Sequence, residues 1–307
     1  MTPTTLSAPR SLPAGDGITA RAGVVAEVDG TGSTRVVECW GEPPLLPRRT
    51  SSGVHFVAGA AGPLGGDVLT THVSVGPGAR LRIGSVAPTA VRPGRGDAAS
   101  RSDVTARIGP SARLRWLPQP TVLLAGSRHR SCSSIELGTG AELFWVEVVV
   151  LGNHDGPTGE VVSRRSVDVD GRALSRQELR LGTGDPTLAG PAVVGSARVV
   201  GSFLAVHPEW SNPASPGSDA SPPGPGPGLG APATPPDAPG TEPARQALCE
   251  PPARVGIMPL AGAAVELVGV GQSVRAVLRG WEALADRFAD RAPVTSGAVK
   301  DYVAATR

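Results

Sequence analysis

Aromatic residues are scarce in this 307-residue chain: one Tyr, four Phe and five Trp make up 3% of it. Charge of one sign is lacking too, because 29 Lys and Arg face 27 Asp and Glu, a formal balance of +2. That balance excludes a strong general field for nucleic acid or a membrane surface. Lysine is nearly absent, since Lys300 is the only one and every other basic position is Arg. The three cysteines, Cys39, Cys132 and Cys249, are odd in number and widely spaced. They form neither a disulfide framework nor a zinc motif. Long apolar runs are missing as well. The most apolar stretch, LFWVEVVVLG (143–152), is too short to span a bilayer and carries Glu147. The opening residues MTPTTLSAPRSLPAGDG hold no apolar core of a signal peptide, so a soluble cytoplasmic protein is expected.

Recognisable catalytic motifs are absent. No phosphate-cradling P-loop occurs, and GPGPGLG (224–230) follows no strand and reflects local composition. No G-x-S-x-G elbow is present either.

What the chain has in abundance is glycine and proline, 41 and 32 residues, about a quarter of the total. This excess argues against long helices and favours many short strands joined by turns. One stretch exceeds the rest: residues 211–245 hold 11 Pro and 6 Gly with Leu229 as the only large aliphatic. It cannot bury enough apolar surface to offset its ordering entropy, so 211–248 is expected to be a disordered linker or loop. The expected organisation is then a flexible 1–17, a β-rich body over 18–210, and a C-terminal part over 249–307 completing the same domain.

The body reads as strands. AGVVAEV (22–28) and TRVVECW (34–40) look paired around DGTGS, and DVLTTHVSV (67–75) alternates apolar with polar residues. A motif then recurs in THVSVGPGARLRI (71–83), DVTARIGPSARLRWL (103–117) and SSIELGTGAELFWV (133–146). Each copy is an alternating strand, a Gly-Pro/Thr-Gly/Ser-Ala turn at Gly76, Gly109 or Gly138, and a second strand. The recurrence predicts a mainly β, helicoid and solenoid-like stack of antiparallel hairpins. At the C-terminus, VGIMPL (255–260) and AAVELVGV (263–270) read as two strands. Val274, Val277, Leu278, Trp281, Leu284 and Phe288 then form one apolar stripe of an amphipathic helix capped by Ser273, with a second short helix near 296–304.

Few residues carry chemistry. The five histidines, His55, His72, His129, His154 and His207, are scattered. The His129/Cys132 pair falls on opposite faces of a strand, so His129 reads as an ordinary polar strand end, and His154-Asp155 reads as part of a turn. Two carboxylates stand out. Glu147 lies inside an apolar strand, where a buried charge is either ion-paired with an Arg or lines a water-filled passage. Asp67 follows Gly65-Gly66 and opens a strand, where a carboxylate accepts backbone N–H bonds in a turn.

Three ordered elements carry a resemblance. AGPLGGDVLTTHVSVGPGARLRI (61–83), with Gly65, Gly66 and Asp67, comes first. ARLRWLPQPTVLLAGSR (112–128), with Trp116, Leu117, Pro118 and Gln119, comes second. LFWVEVVVLGN…GE (143–160), with Gly152 and Glu160, comes third. Together they resemble the urease accessory protein UreD, called UreH in some species. The likeness extends over 166–181 and 253–290. The chain departs from that pattern at VAPTAVRPG (86–94), which keeps only Arg92 of an aromatic-basic element, and at Asn153 in place of an arginine.

The resemblance implies a non-enzymatic scaffold that bridges apo-urease to UreF and, through it, to the GTPase UreG. No nucleic-acid or membrane partner is implied. It also implies that nickel travels through an internal passage, with Asp67 and Glu147 as candidate passage or interface carboxylates. No tightly bound cofactor is expected, only transient Ni²⁺, since weak oxygen ligands suit transit better than a closed His/Cys site. The alternative from another class is a β-rich enzyme using Asp67 and Glu147 as an acid–base pair, which requires both in one open cleft.

Overall fold

The computed structural model describes residues 17–152, 157–182, 190, 194–208, 253–260, 264–287 and 293–306. The 211–248 stretch, the expected flexible start up to residue 16, and Asn153, His154, Asp155, Cys249 and Phe288 lie outside the described residues.

In chain order the first strands are β1 (Thr19–Val28), β2 (Thr34–Gly41), β3 (Leu45–Thr50) and β4 (Gly53–Ala58). The repeated part brings β5 (Val68–Val75), β6 (Arg80–Ser85), β7 (Thr89–Val91), β8 (Ser100–Ile108), β9 (Arg113–Leu117) and β10 (Thr121–Leu123). It continues with β11 (Arg128–Leu137), β12 (Glu142–Leu151), β13 (Glu160–Val169), β14 (Arg172–Leu181) and β15 (Val199–Val206). Last among the described residues come β16 (Arg254–Leu260), β17 (Ala264–Gly271), α1 (Val274–Arg287) and α2 (Pro293–Thr306).

The strands form two sheets. The first runs β14-β13-β11-β8-β5-β1-β2, and the second runs β16-β17-β15-β12-β9-β6-β4-β3, with β10 beside β12 and β7 beside β10. The mainly β, solenoid-like stack with two C-terminal helices is as expected. The pairing inside each repeat differs from the antiparallel hairpin expected. β5 pairs in parallel with β1 and β8, β8 with β11, and β11 with β13. Across the interior, β6 pairs in parallel with β4 and β9, and β9 with β12. The two strands of one repeat therefore sit in opposite sheets, and each bonds to its counterpart one coil away.

The turn chemistry explains this. Ala79, Ala112 and Ala141 donate N–H bonds of 3.0–3.1 Å back to Gly76, Gly109 and Gly138. The third turn residue has positive φ each time: Gly78 (69°), Ser111 (53°) and Gly140 (69°). A turn with Pro second and a left-handed third residue has type II character, which splays its flanking strands instead of matching their twist. The chain thus crosses to the other sheet. Turns of successive coils also rest on one another. A Cβ on Gly109 would meet Pro77 N at 2.8 Å, and one on Gly138 would meet Pro110 N at 2.9 Å.

Alternation decides the layers. Val73 and Val75 of β5, Leu81 and Ile83 of β6, Leu114 of β9 and Trp145 of β12 fill the space between the sheets. Phe144, Val146 and Val148 of β12 point the other way, onto α1 and α2, where they meet Val277, Leu278, Trp281 and Tyr302. This two-sided burial is why LFWVEVVVL is apolar on both faces. Ser273 caps α1 by accepting the Ala276 N–H at 3.1 Å. The Tyr302 hydroxyl of α2 donates to the Pro118 carbonyl at 3.1 Å and ties that helix to the end of β9. β16 and β17 extend the second sheet beyond β15.

Candidate functional site

The apolar filling between the sheets gives way at one level to hydroxyls. Thr71 of β5, Ser102 of β8, Ser131 and Ser133 of β11 and Ser163 of β13 line a cavity of about 260 Å³. From the second sheet come Trp116, Glu147 of β12, and Pro118 and Gln119 just beyond β9. Trp116 stacks on Trp145 with ring centroids 4.9 Å apart and forms an aromatic wall.

Glu147 is the carboxylate of this cavity. Its Oε1 accepts from Trp145 Nε1 at 3.1 Å and from the Ser133 hydroxyl at 3.4 Å. Its Oε2 lies 3.5 Å from Nη1 of Arg165. Arg165 projects inward from β13 and is 2% exposed. It also pairs through Nη2 with Glu266 of β17 at 2.5 Å, and its Nη1 donates to the Ser202 hydroxyl at 3.0 Å. Glu266 accepts further bonds from Ser202 at 2.5 Å and Gln177 at 3.1 Å. Glu147 is therefore ion-paired with an Arg, as one reading of the sequence had it, and it also faces a cavity. Two carboxylates share one guanidinium, so the cluster carries surplus negative charge.

His129 lines the same cavity from β11 and is buried. It stands at the start of β11, a polar strand end as expected but a buried one, and Cys132 is exposed on the opposite face as the alternation required. Burial lowers the His129 pKa to about 4, so the ring is neutral near pH 7. Its Nδ1 lies 2.8 Å from the Ser100 hydroxyl, which donates to the Arg128 carbonyl at 3.3 Å. With the ring proton on Nδ1, Ser100 accepts from it and Nε2 keeps its lone pair; with the proton on Nε2, Ser100 donates to Nδ1 instead.

Asp67 sits elsewhere. Its carboxylate accepts the N–H groups of Ile18 at 2.7 Å and Leu64 at 2.8 Å, and it does not line the cavity. It fixes the loop after Gly62 and Pro63, both of which are cavity wall. Gly65 packs within contact of the Ala98 and Gly94 backbone, and Gly66 has φ of 94°. Leu117 is buried against the helices. Gly152 ends β12 with φ of 73°, and Glu160 opens β13 beside Arg128 at 3.5 Å. The two carboxylates required for acid–base catalysis are thus not brought into one cleft. Among the described residues, no three His, Cys, Asp or Glu side chains converge on a metal position, and no helix is long and apolar enough to cross a membrane.

Sequence reasoning missed Arg165 and Glu266. Both left a trace: Arg165 occupies an inward position between Val161 and Val167, and Glu266 interrupts an apolar strand as Glu147 does.

The described residues thus form a coiled two-sheet β body with an internal polar cavity. The UreD urease accessory protein family model matches residues 19–294. The urease accessory protein UreD of Parafrankia sp. (strain EAN1pec) is 40% identical over 225 residues, covering 65% of this chain and 76% of that protein. The urease accessory protein UreD of Streptomyces avermitilis is 39% identical over 200 residues, covering 63% and 79%. This chain belongs to the UreD family, whose members are accessory proteins and not enzymes.

Proposed function

We propose that this chain acts in urease maturation in the cytoplasm, as a scaffold that joins apo-urease to UreF and, through UreF, to the GTPase UreG. Nickel crosses its interior on the way to urease, as cargo and not as a resident cofactor. The observation that supports this reading is the cavity itself. It combines one carboxylate of an over-acidic cluster, a neutral imidazole and several hydroxyls. Such a lining attracts a divalent cation and holds it loosely, because oxygen donors bind nickel weakly and no closed set of soft ligands traps it. Glu147 is the passage carboxylate in this scheme. Asp67 acts from outside, by fixing the loop that carries Gly62 and Pro63.

The test is co-expression of the full chain with UreF, UreG and apo-urease, followed by size-exclusion chromatography and nickel analysis of the urease. Wild type is expected to co-elute with UreF and to deliver nickel. Glu147→Gln and Glu147→Ala are expected to keep the complex and lower the nickel content several-fold. Full nickel delivery by both variants would remove the interior from the mechanism. Failure of the folded protein to bind UreF would remove the scaffold.

A further inference from the structure

We propose that a surface groove between β2 of the first sheet and β6 and β9 of the second is a docking site for an acidic segment of a partner protein. The groove is separate from the interior cavity, and the inference does not rest on nickel transit. Its volume is about 780 Å³, and it runs between β2, the β3–β4 turn and the outer faces of β6 and β9. Six arginines line it: Arg35, Arg49, Arg80, Arg82, Arg113 and Arg115. No Asp or Glu does. In a chain with a balance of only +2, this is a local concentration of charge.

Strand register makes the concentration costly. Arg80 stands directly opposite Arg113, and Arg82 opposite Arg115, on neighbouring parallel strands. Like charges facing each other across strands destabilise a sheet. Three of the six are compensated: Arg35 by Asp29, Arg113 by Glu142 and Arg115 by Asp301. Among the described residues Arg49 and Arg82 have no acidic partner within ion-pair distance, Arg80 is drawn on electrostatically by Glu142, and the buried Nε of Arg115 has no hydrogen-bond partner. The charges of Arg49 and Arg82 are left for something outside the fold.

The lining selects the occupant. Hydroxyls of Thr34, Thr50, Ser51 and Ser52 stand among the guanidiniums and add neutral donors suited to carboxylate or carbonyl oxygen. Guanidiniums bind carboxylates in planar, bidentate pairs. Stacked nucleobases would need aromatic platforms, and none lines the groove. A concave trough also fits an extended chain better than a flat bilayer. The fitting ligand is a polypeptide stretch rich in Asp and Glu.

The probe is a fluorescein-labelled oligo-glutamate peptide, followed by fluorescence anisotropy with the full-length protein. Binding that weakens as salt is raised is expected. The double variant Arg49→Ser, Arg82→Ser should weaken it about tenfold or more. Its melting temperature should stay level or rise, because a cross-strand repulsion is removed. Glu147→Gln should leave peptide binding unchanged. No binding, or equal binding by wild type and the double variant, would overturn the assignment. So would tighter, Arg82-dependent binding of a labelled single-stranded oligonucleotide.

Discussion

Arg165 of β13 and Glu266 of β17 form a fully buried ion pair that joins the two sheets across the interior, with Nη2 and Oε1 2.5 Å apart. Ser202 and Gln177 also donate to Glu266, and Arg165 reaches the cavity-lining Glu147 at 3.5 Å. The pair therefore ties the two layers together and holds Glu147 in place at the cavity.

Removing one partner should be worse than removing both. Glu266→Ala leaves the Arg165 guanidinium buried with the longer contact to Glu147 as its one carboxylate and the Ser202 hydroxyl beside it, which should cost about 3–5 kcal/mol. Glu266→Gln keeps an acceptor and should cost less. The double change Arg165→Met, Glu266→Leu replaces the pair with apolar groups of similar size and should be milder than Glu266→Ala alone. Urea unfolding of all three variants measures this. A double variant less stable than Glu266→Ala would contradict a tie held by charge pairing.

Asp67 gives a second measurement. Asp67→Ala leaves the Ile18 and Leu64 N–H groups without their acceptor in a part-buried turn, and a loss of about 1–2 kcal/mol follows. Asp67→Asn retains one acceptor oxygen and should lose about half of that. If Asp67 positions the loop and does not ligate cargo, nickel delivery should track thermal stability across the two variants. Lost delivery in a fully stable Asp67→Asn protein would make it a ligand instead.

The legible part of the structure was the part written in repeated punctuation. Gly76, Gly109 and Gly138 recur with Pro or Thr after them, and the stack follows from that recurrence. The direction of pairing was not legible, because it depends on the sign of φ at the third turn residue, and Ser111 adopts the left-handed form without being glycine. The apolar stripe of α1 was readable in its spacing. The partners of Glu147 were not: an Arg in an alternating strand usually marks the wet face, and only the register shows Arg165 pointing inward. His129 was hidden for the same reason. The groove needed the register as well, since Arg80 and Arg113 lie far apart in sequence and side by side in the sheet.

His129 supplies a test in pH. Its pKa falls from the ordinary 6.5 to about 4 because burial disfavours the imidazolium. Between those values the unfolded chain binds a proton that the folded chain refuses. The stabilisation is therefore complete above about pH 6.5 and is lost as pH drops toward 4, by up to about 3 kcal/mol. His129→Asn cannot titrate in this window and should show a flatter curve there, whatever its stability at neutral pH. Urea midpoints for wild type and variant, taken at steps between about pH 7 and pH 4, would separate the two. Parallel curves would mean that the buried imidazole is not the group that titrates.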